Sequence, residues 1–515
     1  MLYLYDLTMN NYNENSRRIA KNTLMLYFRM FFMMLLGLFT SRVVLEALGE
    51  NDYGVYNVVG GVVAMFSIIS ASMSTAASRF ITYELGKTEG AQLNKVYSTT
   101  VTIQFIISLL VVILAEPAGL WFIDNKMTID PSRIAAARIV LHFTLLSFVV
   151  NLMSVPQMAS ITAHEKMNAY AYIGVFEGLL RFAIAIMISR CGYDRLILYS
   201  MLMAGSVILV RMAYSSYCSK NFQECRYKPV FDKGLFREMF SFAGWNFIGS
   251  VSGVLRDQGG NILVNIFSGP AVNAARGLAV QLNGAIQSFV TNFMTAVNPQ
   301  ITKSYASGDK QYMFSLMRKS SRMAFYLLFI LALPVLFNTE YVMSLWLKEV
   351  PDHSVLFVRL FLIFTLSESI SMPLITAMFA TGKVRDYQIV VGGLQLLNLP
   401  ISYALLKTGA IPEITVVVAI AISQVCLFAR LLMLKKTIGL SPAEFLHRVY
   451  FNVIGVIAVA IVLPDIVAQF NIAGIIKVLV AILSAALSIM FMGCTRSERN
   501  RIYNFVKSRL TGKRN

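Results

Sequence analysis

Residues 23–46 of the chain read TLMLYFRMFFMMLLGLFTSRVVLE. This stretch is long and apolar enough to cross a bilayer, which takes about 20 residues, yet Arg29 lies well inside it. Two other apolar stretches contain Arg181 and Arg256 in the same way. A charge near the bilayer centre costs about 2.5–3.5 kcal/mol on insertion scales, so such a residue normally faces a water-filled cavity or a charged partner. The pattern predicts a helical membrane protein whose positively charged interior suits an anionic ligand.

The overall composition indicates the same class. Of 515 residues, 57% are hydrophobic and only 14% are charged, too few charges to cover a soluble protein of this size. The net charge of +18 does not indicate nucleic-acid binding, because the basic residues lie in short loops and in the C-terminal tail. We therefore expect membrane lipids, and no nucleic acid, among the partners.

Windows of about 20 apolar residues define the predicted membrane spans. We predict fourteen of them, which makes the fold class all-α and polytopic. The spans are 23–46, 54–78, 96–115, 134–158, 168–189, 195–217, 240–267, 272–300, 321–338, 354–380, 387–407, 414–434, 449–467 and 473–493.

Lysine and arginine are unevenly distributed between the two sides of these spans. Roughly two thirds of the 45 basic residues fall on the side that also holds both ends of the chain. Cytoplasmic loops carry the excess of positive charge, so both termini are predicted to be cytoplasmic, as an even number of spans requires.

The sequence repeats itself at an almost constant offset. Val44, Gly49, Ile81 and Thr82 recur as Val264, Gly269, Ile301 and Thr302. At a slightly smaller offset, Pro117, Ser154, Pro156 and Lys166 recur as Pro334, Ser371, Pro373 and Lys383. Each repeat holds six spans, so the two lobes are parallel repeats and the substrate route is expected between them. The last two spans, which we name the C-terminal pair, fall outside the repeat.

This repeat sets the predicted domain boundaries. Residues 23–220 form the N-lobe and residues 239–434 form the C-lobe. The remaining segments are a cytoplasmic N-terminus (1–22), a cytoplasmic linker (221–238), the C-terminal pair (447–493) and a basic cytoplasmic tail (494–515).

The eighth span is unusually polar for a membrane helix. A stripe of small and polar residues steps along it by three or four positions: Gln281, Gly284, Ala285, Ser288, Thr291, Asn292 and Thr295. One interpretation is the wall of a hydrated cavity, and the other is close helix packing through small residues and hydrogen bonds. The candidate ligand-binding side chains of this span are Gln281, Asn283, Ser288 and Asn292.

The seventh span contains Arg256–Asp257–Gln258–Gly259–Gly260 near its middle. Three polar residues followed by two glycines could unwind the helix beside a ligand. Alternatively, Arg256 and Asp257 could simply neutralise each other.

Three carboxylates inside the spans are candidate sites for a coupling proton or cation. One is Asp257. Glu177 in the fifth span lies one helical turn from Arg181 and can instead pair with it. Glu368 lies in the tenth span between two serines.

Three further arginines are candidate anion ligands. Arg29 could face a cavity or extend to the cytoplasmic interface. Arg42 and Arg276 lie near outer helix ends, where interfacial anchoring is the alternative to ligand binding.

The chain contains no motif of an enzyme. It has no Walker-type phosphate loop, no recognisable catalytic triad and no group of residues with metal-ligand spacing. We therefore expect a protein that is not an enzyme, with no cofactor, metal or catalytic residue.

Five short runs carry a resemblance to a known family: TSRVVL (40–45), DYGVYNVVGG (52–61), RFIT (79–82), NAARG (273–277) and NPQITK (298–303). As a set they resemble the bacterial polysaccharide flippases, which move O-antigen or capsule repeat units. These flippases belong to the multidrug/oligosaccharidyl-lipid/polysaccharide (MOP) exporter superfamily. That superfamily also contains the multidrug and toxic-compound extrusion (MATE) transporters and the lipid II flippases.

The resemblance implies two MATE-like lobes that alternate access across the cell (inner) membrane, with an undecaprenyl-diphosphate-linked oligosaccharide as cargo. It also implies that cavity arginines bind the diphosphate, a role that would fall to Arg29, Arg42 and Arg256. The C-terminal pair would correspond to a groove for the prenyl tail. A polysaccharide polymerase and a chain-length regulator are the implied protein partners.

Two other functions stay open at this point. A cation-coupled antiporter of drugs or other small molecules would share the fold. MATE antiporters often use an acidic residue in the first span, whereas this span has arginines and only Glu46 at its far end. A membrane glycosyltransferase or polymerase would need a large outer loop with catalytic residues, and the longest predicted outer loop, 116–133, is short.

Overall fold

The structure is a computed structural model of the chain. It describes residues 2–64, 66–87, 92–125, 127, 129–190, 192–229, 232–345, 347, 350–470, 472–496 and 498–500, excluding the side chains of 2–17, 35, 38, 41, 42, 45, 50, 57, 62, 64 and 270. Every regular element in these residues is a helix. The predicted all-α fold class is therefore confirmed.

The first part of the chain forms seven helices. They are α1 (Leu2–Ala64), α2 (Ser67–Leu85), α3 (Leu93–Asn125), α4 (Ile134–Leu152), α5 (Val155–Ala163), α6 (Met167–Ser189) and α7 (Arg195–Asn221). Helix α8 (Lys233–Ala306) begins inside the predicted linker (221–238), where the side chain of Asp232 caps it by accepting from the Leu235 amide at 2.9 Å. The same carboxylate pairs with Lys95, which holds its pKa below the usual value.

The second part contains more helix breaks. Its helices are α9 (Lys310–Phe337), α10 (Thr339–Ser344), α11 (Ser354–Ala380), α12 (Val384–Tyr387), α13 (Gly393–Leu396), α14 (Asn398–Lys407), α15 (Ile414–Ile438), α16 (Pro442–Phe445), α17 (Phe451–Ala460), α18 (Val462–Ala468) and α19 (Gly474–Ser488). Three π-helical turns join or extend them, at Gln388–Gly392, Leu446–Tyr450 and Ile489–Gly493.

Ten helical stretches in the described residues are long and apolar enough to cross a membrane. They coincide with the ten predicted spans that lie outside α1, α2 and α8. The other four predicted spans (23–46, 54–78, 240–267 and 272–300) fall on those three helices. The multi-pass architecture is therefore confirmed, whereas the number fourteen stays a prediction.

The chain divides into two compact units. The first comprises Met1–Ser250 and Thr295–Gly308, and the second comprises Val251–Met294 and Asp309–Asn515. In the first unit α6 packs against α1 and α7, and the last turns of α8 join a cluster of Leu26, Met167 and Ala296. In the second unit α11 packs against α9 and α15, and α19 packs against α9.

The repeat seen in the sequence is visible in the backbone at two glycines. Gly49 has φ 75° and ψ 168°, and its counterpart Gly269 has φ 82° and ψ 177°. This region of backbone conformation is essentially restricted to glycine. Each residue interrupts a long helix at the same point, so α1 and α8 are both helical pairs joined by a glycine turn.

The repeat recurs further along, at two matched lysines. Lys166 (φ −82°, ψ 56°) and Lys383 (φ −83°, ψ 62°) both precede the start of a helix. The residues before them, Glu165 and Gly382, both have positive φ, at 59° and 76°. The two halves therefore share a specific loop geometry as well as a helix order.

A pair of charged contacts marks a third correspondence. Arg133 donates to Asp194 at 2.6 Å in the first unit, and His353 contacts Glu413 at 2.7 Å in the second. His353 is the counterpart of Arg133, and Glu413 of Asp194, at almost the offset that separates the two glycines. In each unit the contact joins the beginnings of two helices, at α4 and α7 in one and at α11 and α15 in the other.

Candidate substrate-binding site

The predicted Arg256–Asp257 pair forms in the second unit. Arg256 Nε donates to Asp257 Oδ1 at 2.8 Å and Nη2 donates to Oδ2 at 3.2 Å. The guanidinium carbon lies 5.0 Å from the centre of the Phe364 ring, a cation–π contact. The Arg256 side chain is 17% exposed and that of Asp257 is 58% exposed, so the arginine is covered while its acidic partner is accessible.

The helix does not unwind at this run, so that hypothesis is wrong. Helix α8 has helical backbone angles through residues 256–260, and its break comes only at Gly269. The two glycines serve packing instead. A Cβ at Gly259 would clash with the Leu399 side chain, and one at Gly260 would lie 3.3 Å from Arg276 Nη2.

Arg276 lies against the same part of α8 from the other side of the glycine turn. Its Nη1 donates to Asn261 Oδ1 and its Nη2 to the Asp257 carbonyl oxygen, both at 3.0 Å. The guanidinium carbon is 5.4 Å from the centre of the Phe361 ring. Arg276 is buried and held by α8 itself, so anchoring at a membrane interface does not describe it.

The polar stripe on the second half of α8 is largely exposed. Gln281, Gly284, Ala285 and Thr291 are exposed, whereas the intervening Ile286, Val290 and Met294 are buried. A helix that packed through its small residues would bury them. The exposure therefore favours the hydrated-wall interpretation.

The remaining candidates on α8 differ in their surroundings. Asn283 is buried, and its Oδ1 accepts from Thr365 Oγ1 at 2.8 Å, which ties α8 to α11 within the second unit. Ser288 and Asn292 are half-buried, and Asn292 Nδ2 donates to the Ser288 carbonyl at 2.9 Å. Asn283 is thus engaged in packing, and the more accessible amides are Gln281 and Asn292.

Arg29 lies within the first unit. Its guanidinium carbon is 4.4 Å from the centre of the Tyr170 ring. Gly174 makes room for it, because a Cβ there would clash with Arg29 Nε. That Nε is buried with no hydrogen-bond partner among the described residues. The side chain of Arg42 lies outside the described part of the structure.

Arg181 and Glu177 pair as their spacing predicts. Arg181 Nη2 donates to Glu177 Oε1 at 2.6 Å. Arg181 also lines a cavity of about 430 Å³ in the first unit, together with Thr40, Tyr53, Tyr56 and other residues of α1, α6 and α7. The first unit therefore has an arginine beside a cavity of ligand size, but this arginine is Arg181 and not the predicted Arg29.

The third acidic candidate, Glu368, pairs with an arginine that sequence reasoning missed. Arg430 Nη1 lies 3.6 Å from Glu368 Oε1, and its side chain is 1% exposed. Arg430 Nε also donates to the Tyr387 hydroxyl at 3.3 Å. The criterion that identified Arg29, an arginine inside an apolar span, would also have identified Arg430.

A second missed group surrounds Glu165 in the first unit. Its carboxylate, 1% exposed, accepts from Lys303 Nζ at 2.7 Å, Gln300 Nε2 at 2.7 Å and Arg18 Nε at 2.8 Å. Gln300 and Lys303 belong to the run NPQITK at 298–303. That run carries part of the family resemblance, but nothing local in it indicates a partner so distant in the sequence.

No group of His, Cys, Asp and Glu that could hold a metal ion occurs in the searched, described residues. The protein thus combines a bundle of apolar helices, arginines inside that bundle and a polar helix face. Together with the fold, they define a multi-pass membrane protein with charged residues inside its helical bundle.

A family profile described as "Polysaccharide biosynthesis protein" matches residues 19–305, more than half of the chain. The chain belongs to that family. It is also similar to the "Uncharacterized membrane protein EpsK" of Bacillus subtilis (strain 168), with 20% identity over 295 residues. That match covers 56% of this chain and 57% of the relative, so the chain spans little more than half the length of the relative that it matches.

Solved structures show the fold. A structure described as "Crystal structure of MATE in complex with MaD3S" superposes with TM-score 0.69 and 12% identity, covering 82% of this chain and 97% of that one. The "MATE transporter ClbM in complex with Rb+" gives TM-score 0.66 and 15% identity over 84% of this chain and 97% of that one. A MOP superfamily transporter from Pyrococcus furiosus gives TM-score 0.66 and 11% identity over 81% of this chain and 95% of that one.

Proposed function

We propose that the protein is a flippase for undecaprenyl-diphosphate-linked oligosaccharide repeat units. It moves them from the cytoplasmic to the outer leaflet of the cell (inner) membrane by alternating access, for O-antigen, capsule or exopolysaccharide synthesis. The observation that carries the proposal is that covered arginines and an exposed stripe of amide and hydroxyl groups lie on the same helix, α8. A cargo with a diphosphate and a sugar needs both chemistries.

The diphosphate is assigned to Arg256 and Arg276. A guanidinium stays charged and can grip two phosphate oxygens at once. The cavity beside both residues is only about 20 Å³, roughly one water molecule, so a phosphate must displace a group already present. Asp257 is the group to be displaced, because it is the exposed member of the pair and carries the same charge as a phosphate oxygen.

The sugar is assigned to the polar stripe. Gln281, Ser288 and Asn292 offer amide and hydroxyl groups along one side of α8, at a spacing of one helical turn or more. Asn283 supports this face from within by its bond to Thr365. Arg29 in the first unit is a further candidate, because its Nε is aimed into the protein without a hydrogen bond to any described residue.

The rival function, a cation-coupled antiporter, needs a carboxylate that is available to a proton or cation. Each of the three candidates contacts an arginine instead: Glu177 contacts Arg181, Asp257 contacts Arg256 and Glu368 contacts Arg430. A carboxylate that is already neutralised attracts a cation less strongly. These pairs favour the flippase.

Replacement of Arg256 tests the proposed function. We expect Arg256→Ala to abolish polysaccharide export in a strain that lacks the chromosomal gene, while the amount of membrane-inserted protein stays normal. Arg256→Lys keeps the charge but loses the fork geometry, so export should fall only in part. Arg211→Ala, which removes another arginine from a span, is the matched control and should export normally.

A double variant separates ligand binding from charge balance. If Arg256 only neutralises Asp257, then Arg256→Ala combined with Asp257→Ala restores export. If Arg256 binds the diphosphate, the double variant stays inactive. Restored export would therefore remove Arg256 from the binding site and with it the main support for the flippase proposal.

The proposed orientation has both termini in the cytoplasm. Single cysteines introduced into a cysteine-free chain test it. Asn125→Cys should react with an impermeant maleimide on intact cells, and Lys310→Cys should react only after permeabilisation. The reverse labelling pattern would refute the orientation.

A further inference from the structure

A basic pocket lies at one end of the second unit, apart from the site on α8. Its volume is about 310 Å³. Helix α9 contributes Arg318, Lys319 and Arg322, and the segment around the π-helical turn Leu446–Tyr450 contributes His447, Arg448 and Asn452. Arg322 is four positions from Arg318 and three from Lys319, so it neighbours both of them on the helix surface.

The pocket keeps an excess of positive charge. Glu444 contacts Arg318 at 3.0 Å and Arg448 at 3.2 Å, and Glu498 contacts Arg322 at 3.1 Å. Two carboxylates therefore face three arginines, and Lys319 also lines the pocket. Among the described residues the pocket is cationic even when His447 is counted as neutral.

The wall of the pocket is fixed by buried hydrogen bonds. Arg322 is buried and its Nη1 donates to the Gly493 carbonyl at 3.2 Å. The Tyr326 hydroxyl donates to the same carbonyl at 3.3 Å and also bonds to Asn452. Gly493 ends the π-helical turn Ile489–Gly493, so two π-helical turns border the pocket, a feature frequent at functional sites.

An apolar surface adjoins this charged wall. Phe451 and Ile454, which flank Asn452 on α17, are exposed, and so are Phe491 and Met492 beside Gly493. Exposed apolar side chains on membrane helices face lipid chains. A ligand that fits both features has an anionic head and hydrocarbon tails.

We propose that this pocket binds the phosphate of an anionic phospholipid, with the acyl chains lying against α17 and the turn Ile489–Gly493. Basic pockets between membrane helices recognise such head groups, each nearby Lys or Arg adding about 1 kcal/mol. The basic residues assign this end of the helices to the cytoplasmic side. The lipid is a second ligand, distinct from the cargo assigned to α8, and the inference does not depend on that assignment.

Lipid binding to the purified full-length protein in detergent tests this directly. Native mass spectrometry would measure the dissociation constants of phosphatidylglycerol, cardiolipin and phosphatidylcholine. We expect the two anionic lipids to bind and phosphatidylcholine to bind at least tenfold more weakly. Arg318→Gln with Arg448→Gln should weaken anionic-lipid binding about 30-fold, the loss expected for two charges. Lys435→Gln with Lys436→Gln, at exposed positions of α15, should change it less than threefold.

Weaker lipid binding by the arginine double variant could also result from misfolding, so a variant that should bind more tightly is the control. Glu444→Gln removes the carboxylate that occupies Arg318 and Arg448, so it should tighten anionic-lipid binding several-fold. Unchanged affinity in both the arginine double variant and Glu444→Gln would overturn the proposal.

Two competitors identify the source of the phosphate. Inorganic phosphate should not displace cardiolipin at millimolar concentration, and displacement would mean a site for a soluble anion. Undecaprenyl diphosphate should compete no better than cardiolipin itself. Competition more than tenfold stronger would mean that the pocket receives the cargo, and the phospholipid assignment would be wrong.

Discussion

The two halves of the chain repeat one backbone but carry different charges. Gly49 and Gly269 share a conformation that only glycine adopts readily, and Lys166 and Lys383 have almost the same φ and ψ. At the offset that pairs the two glycines, however, Arg29 corresponds to Gly249. Arg256 corresponds to Leu36.

This difference shows which features the repeat preserves. A glycine-only turn cannot change residue type without strain, so both halves keep it. A charge inside the bundle needs only a local partner, and each half supplies its own: Tyr170 lies beside Arg29, and Asp257 beside Arg256. The duplicated scaffold is therefore symmetric, while the candidate site is built mostly from the second half.

The largest effect should come from breaking the buried pair of the second half. Arg430→Leu leaves Glu368 facing the bundle without its cation, and loss of one partner of a buried pair costs about 3–5 kcal/mol. The corresponding Arg211 of the first half is only half-buried, so Arg211→Leu should cost less than about 1 kcal/mol. Denaturant titration of the purified protein measures both free energies of unfolding.

The double variant Arg430→Leu with Glu368→Leu supplies the control. Replacing a whole buried pair by apolar residues is often neutral, so it should recover most of the loss. No recovery would mean that Arg430 stabilises the fold mainly through Tyr387.

A smaller effect is expected at the matched loops before Lys166 and Lys383. The first half has Glu165 at the position where the second half has Gly382. Glu165→Gln removes the charge that Lys303 and Arg18 neutralise, and we expect a loss of about 2 kcal/mol. Gly382→Ala, the counterpart, forces only an alanine into a positive φ and should cost about 1 kcal/mol. No loss of stability in Glu165→Gln would show that the ion pairs of Glu165 contribute nothing.

The most symmetric effect is expected at the glycine turns. Gly49→Ala and Gly269→Ala meet no neighbouring atom within 4 Å, so their cost is backbone strain alone, about 1–2 kcal/mol each. The two losses should agree within about 0.5 kcal/mol. Gly277→Ala, also free of neighbours but in ordinary helical conformation, should be neutral or stabilising. A large difference between the two turns would argue against equivalent repeats.

Sequence patterns were sufficient for the scaffold. Apolar windows located ten spans that the structure confirms, and the repeat paired Gly49 with Gly269, whose backbone angles then agree. These features are local, because span length and glycine conformation depend on neighbouring residues. The pairing of Glu177 with Arg181 is local too, being one helical turn apart.

Contacts between distant segments were not predictable in this way. Nothing near Glu165 indicates Lys303, and nothing near Arg430 indicates Glu368, because these partners meet only after the helices pack. The prediction that the helix unwinds at residues 256–260 was wrong for the same reason. Its glycines suggested an unwound helix, whereas they allow Leu399 and Arg276 to approach a regular one. The assignment of ligand to each arginine stays a prediction.

The π-helical turn Gln388–Gly392 has an evolutionary consequence. The stretch from Lys383 to Glu413 in the second half is two residues longer than the corresponding stretch from Lys166 to Asp194 in the first, and the π turn accounts for one of the two. A π turn holds one residue more than an α turn, so it can absorb a single-residue insertion where it occurs. Without it, every later side chain of that helix would rotate by about 100°, the angle per residue of an α-helix. Among homologues we therefore expect insertions and deletions to gather at this turn.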